Sequence, residues 1–154
     1  MRNIKVFAVI ILAILALSLI FSNSADPSNQ LLFGLKRFQE NIFANFKQDK
    51  LDYSNELLDK RVTELKQLAN KEKSRYLWSA SLRYSTTAGK ITELIVAQNS
   101  KEKATIQIEI FNSDKEQINK AWQEFPRDFG NEDWKFLEDA INYLNIYTEQ
   151  LSKI

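Results

Sequence analysis

Thr105-Ile106-Gln107-Ile108-Glu109-Ile110-Phe111 is the stretch on which the fold class turns. Polar and apolar residues alternate along most of it, the pattern of a half-buried strand. Ile106, Ile110, Ile118, Trp122 and Phe125 also fit helical intervals, with Asp114 as the weak position. A strand here has no clear partner elsewhere in the chain, and a lone strand does not hold in water. We therefore read a helix, opened by Asn99 with Glu102 and ended by Pro126. With that reading the chain is all-α.

The neighbouring segments agree. Asp49, with Asp52 three residues on, is a weak capping-box start. Behind it Leu51, Asn55, Leu58, Val62, Leu65 and Ala69 form a helical stripe, widened by Leu57 and Leu68. Asn70 to Ser74 breaks or bends the path. The next helix carries Leu77, Ala80, Ser81, Tyr84, Ala88, Ile91 and Ile95 on one face. Its middle, from Ser79 to Gly89, is rich in small residues. Ser81, Ser85, Ala88 and Gly89 either let another helix approach closely or floor a ligand groove; close packing is the preferred reading. Trp78 and Leu82 lie off the main stripe and need a second covering surface, which marks them as candidate interface residues. Gly130-Asn131 precedes a final helix striped by Trp134, Leu137, Ile141, Leu144 and Leu151, with Tyr143 and Tyr147 beside the stripe.

Upstream, Asp26-Pro27 reads as a helix start. Leu31, Leu35, Phe38, Ile42 and Phe46 give the segment from about Ser28 to Phe46 an apolar stripe. Before it, Arg2 and Lys5 precede Val6 to Phe21, a run whose one polar residue is Ser18. Residues 1–25 therefore read as a signal peptide or signal-anchor. The charge-free interval Val6 to Ala25 would reach about 30 Å as a helix, enough to span a bilayer. The basic residues keep the N-terminus cytoplasmic and put residues 26–154 outside. If the segment is cut, the cut falls near Ser24 and the domain is secreted. We prefer the retained anchor, with the membrane engaged through Val6 to Phe21.

Composition narrows the chemistry. Residues 26–154 hold 19 basic and 20 acidic side chains, a net charge of −1. Nucleic acid is not an expected partner, because phosphate binding needs a clustered basic excess. The chain has no cysteine and no histidine. Disulfides are ruled out, and zinc, haem and thiol chemistry become improbable. We expect no cofactor and no metal site.

Two fragments carry a resemblance. One is Leu35-Lys36-Arg37-Phe38-Gln39-Glu40; the other is Arg61-Val62-Thr63-Glu64-Leu65, with Asp49 shortly before it. Together they resemble a bacterial and archaeal family of exported helical domains of unknown function, over roughly Ser28 to Gln98. The resemblance implies a helical extracytoplasmic domain and assigns no catalytic residue. From spacing alone, Arg37 with Glu40 and Arg61 with Glu64 are candidate ion pairs, along a helix or between helices.

No nucleophile-elbow, phosphate-loop or calcium-loop pattern is present. A two-carboxylate hydrolase would have to draw on Asp49 and Asp52, Glu132 and Asp133, or Glu138 and Asp139. The expected fold is an antiparallel bundle of four or five helices behind the N-terminal signal or transmembrane helix. The expected function is a non-catalytic envelope module that binds a protein partner or acts as a sensor, with self-association as one form. The alternatives are a small-molecule or glycan binder using Ser81 to Gly89, and then the hydrolase.

Overall fold

A computed structural model describes residues 49–69, 74–127 and 132–154, all within one compact unit, Asp49–Ile154. Val6 to Phe21, the Ser28 to Phe46 stripe, Arg37, Glu40 and Gly130-Asn131 lie outside the described residues. Among those described, the chain is all-α: α1 (Lys50–Ala69), a 3-10 turn (Ser74–Tyr76), α2 (Leu77–Gln98), α3 (Lys101–Glu124) and α4 (Lys135–Leu151). Residues 105–111 are helix, in the middle of the first half of α3.

Local chemistry sets the helix ends. The Asp49 carboxylate accepts from the backbone N–H groups of Leu51 (2.9 Å) and Asp52 (3.1 Å), covering donors that the first turn leaves open. Asn99 is not the cap of α3. It closes α2 in the left-handed conformation, φ 47°, which asparagine tolerates better than most residues. The cap is Ser100, whose hydroxyl accepts from the Lys103 N–H. Phe125 is extended ahead of Pro126, whose ring disfavours helix in the residue before it.

Packing follows the apolar stripes. α2 lies along α1 and α4, α3 lies along α4 and less extensively α1, and α2 touches α3 little although two residues join them. Directions follow from paired residues. Ser81 meets Phe136 and Gly89 meets Tyr147, so α2 and α4 run the same way. Lys115 meets Asn145 and Trp122 meets Trp134, so α3 runs opposite to α4. The core contains Leu58, Val62 and Leu65 of α1, Leu77, Tyr84, Ile91 and Ile95 of α2, Phe111 and Ile118 of α3, and Leu137, Leu144 and Leu151 of α4. Each full apolar side chain buried there contributes about 1.5–3 kcal/mol.

The buried face of α3 is not the expected one. Ala104, Gln107, Phe111, Asp114, Ile118, Ala121 and Phe125 are buried, whereas Ile106 is 52% exposed and Ile110 and Trp122 sit at the edge of the core. The buried positions alternate intervals of three and four, a seam of the kind that packs against other helices. Asp114 can occupy the centre of that seam because α2 supplies a hydrogen-bond donor to it.

Candidate functional site

α2 carries both of the features that set this molecule apart, one on each side. Its inner side meets α3 through a buried polar pair. Tyr84 is fully buried, and its hydroxyl donates to the Asp114 carboxylate at 2.8 Å. Burial raises the Asp114 pKa to about 6. The Tyr84 hydrogen bond and Lys66 oppose that rise, and Asp59 adds to it. The Tyr84 hydroxyl is pushed above its ordinary range, first by burial and then by the charge beside it. Asp114 is thus an acid that titrates near neutrality inside a closed core. Among the described residues, the Gln107 side-chain nitrogen on the same seam and the Asn55 side-chain oxygen on α1 are buried without a hydrogen-bond partner.

A second buried polar contact joins α1 to α2. Arg83 and Glu64, both buried, form an ion pair at 3.5 Å. The Arg61 guanidinium donates to the Arg83 carbonyl at 3.0 Å. Arg61 and Glu64 therefore both engage α2, and Glu64 has a cationic partner across the helix interface. Arg83 was not legible as a site from spacing, because a single charge off the apolar stripe reads as a solvated side chain.

Next to that inner face α2 packs its small residues against α4, and beyond them its outer flank is open to solvent. Ser81 is buried and its hydroxyl donates to the Phe136 carbonyl at 2.6 Å. Ala88 is fully buried. A β-carbon at Gly89 would come within 2.8 Å of the Tyr147 hydroxyl, so the bare backbone is what lets this ring approach. Ser85 is buried, with its hydroxyl unpartnered among the described residues. The small residues thus lie under α4 side chains and backbone. Beside them, Trp78 (59% exposed) and Leu82 (54%) stand in solvent one turn apart. Val96, further along the same flank, and Tyr143 and Ile146 on α4 are also exposed. Tyr143 stacks on Tyr147, with ring centroids 6.1 Å apart.

The nominated carboxylate pairs have structural surroundings. Asp49 caps α1, Glu132 pairs with Lys135 at 2.7 Å, and Glu138 and Asp139 are exposed on α4. Trp122 and Trp134 meet edge to face at 6.3 Å, and the Arg127 guanidinium lies over both rings at 4.4 and 5.0 Å. This cluster ties the end of α3 to the start of α4. Among the described residues there is no group of three or more His, Cys, Asp or Glu placed to hold a metal ion. No helix among them is long and apolar enough to cross a membrane.

Comparisons with protein-family models, curated proteins and solved structures find no significant match to this chain.

Proposed function

We propose that this chain is a non-catalytic extracytoplasmic module that binds a protein partner through the outer flank of α2. In this reading a helical bundle stands behind the N-terminal apolar segment, which serves as a single-pass anchor or a cleaved signal. The observation that carries it is Trp78 with Leu82, two large apolar side chains more than half exposed on a helix whose other face is closed. Tryptophan is enriched among the residues that dominate protein interfaces. Leaving such a pair in water has no structural benefit for the bundle itself. A small-molecule or glycan groove at Ser81 to Gly89 is less well supported, because Ser81 is already hydrogen-bonded to α4 and Tyr147 covers Gly89.

Trp78→Ala in the full chain tests the reading. The helical signal and the melting temperature stay close to wild type, while crosslinking to proteins in intact envelopes is lost. Unchanged crosslinking removes this surface from the function.

A further inference from the structure

We propose that the α2/α4 flank pairs with the same flank of a second copy of this chain, through a two-fold contact that lays α2 antiparallel to its counterpart. This rests on the reading of the flank as a protein-binding surface and names its occupant. Trp78, Leu82 and Val96 project from one side of α2, and Tyr143 and Ile146 are exposed on α4, which runs alongside in the same direction. Trp78 to Val96 is 18 residues, about 27 Å along the helix.

This flank is polarised. Exposed Arg75 lies at its Trp78 end, while Lys135 at the start of α4 is paired with Glu132. Glu93 lies at the other end, close enough to Tyr147 to raise its pKa, after burial and Tyr143. With the two-fold axis perpendicular to α2, the helices lie antiparallel and each end of one copy faces the opposite end of the other. Laid antiparallel, the Arg75 end of each copy meets the Glu93 end of the other. Laid parallel, like charges face one another. Exposed Thr86 falls near the middle, beside the small residues that α4 already covers.

The area is of the right order. A fully exposed aromatic side chain offers roughly 150–250 Å². About half of that from Trp78 and Tyr143, with similar fractions of Leu82, Val96 and Ile146, gives on the order of 400–500 Å² of apolar surface per copy. That is comparable with the largest apolar patches that monomers leave exposed, about 300–600 Å². Two copies plus the polar rim reach about 1,200 Å², where specific interfaces begin.

The absence of cysteine gives a clean test. Leu82→Cys and a control on the outer face of α3, Glu116→Cys, are placed in the full chain and treated with a short bismaleimide in intact envelopes. We expect a product of twice the chain mass from Leu82→Cys and none from the control. A product with an unlike protein overturns self-pairing and leaves the protein-binding reading standing; no product at all overturns both. The register has its own test, by sedimentation of the detergent-solubilised full chain. Arg75→Glu and Glu93→Arg should each weaken association by roughly two- to five-fold, and the double reversal should restore it. Failure of the double reversal to restore association overturns the antiparallel pairing.

Discussion

Tyr84 and Trp78 sit on one helix, fewer than two turns apart, in opposite circumstances. Tyr84 is shut into the seam between α2 and α3, with its hydroxyl committed to Asp114. Trp78 keeps more than half of its surface in water and belongs to no core cluster. The inner face of α2 spends its side chains on holding the bundle together. The outer flank does not, so its aromatic surface is free to act between molecules. Stability experiments should separate the two faces cleanly.

The largest effect is expected for Phe111→Ala, which empties a fully buried site on the α3 seam. It should cost about 3–5 kcal/mol in urea unfolding. A loss below about 1 kcal/mol would mean that the seam is not the structural centre of the bundle.

Tyr84→Phe comes next. It keeps the ring and removes the donor to Asp114, leaving a buried carboxylate less well satisfied. The expected cost is about 1–3 kcal/mol at pH 8, where Asp114 is ionised. At pH 5 the cost should shrink, because Asp114 is then mostly protonated.

Asp114→Asn isolates the pH dependence. The Asp114 pKa is raised in the fold to about 6 from 3.8, so the folded state binds its proton more tightly than the unfolded chain does. Its stabilising contribution is therefore full below the ordinary carboxylate range and is lost as pH rises through about 6. Urea midpoints measured from pH 4 to pH 8 should shift in favour of the Asn variant as pH rises, then level off. A gap that stays constant across that range would show that Asp114 does not titrate in the core as described.

The smallest effect belongs to the outer flank. Trp78→Ala should change stability by no more than about 0.5 kcal/mol while abolishing association. A large loss of stability would erase the contrast between the two faces, because Trp78 would then be a packing residue.

The stripe of α2 was legible residue by residue. Leu77, Ala80, Ser81, Tyr84, Ala88, Ile91 and Ile95 all prove buried, and Trp78 and Leu82 stand off that face in solvent. A strongly one-sided helix leaves little choice about which side to bury. α3 is the opposite case. Ile106, Ile108 and Ile110 spread apolar surface around the helix, so the pattern does not single out one face. Its buried face passes through Gln107 and Asp114, which hydropathy places outside. The polar contacts were hidden for a similar reason: Arg83 and Asp114 look like solvated charges until Glu64 and Tyr84 are set opposite them.

By itself, the sequence determined the helical class, the inner face of α2, the capping of α1 at Asp49 and the absence of cysteine and histidine chemistry. These depend on periodicity and residue type, which act over one or two turns. The tertiary structure alone decided which face of α3 is buried, that α2 lies beside α4 rather than along α3, and that an aspartate can sit in the core. Each of those depends on what another helix brings into contact. A buried charge is tolerated where a donor meets it, and a tryptophan stays exposed where none of the described helices packs over it.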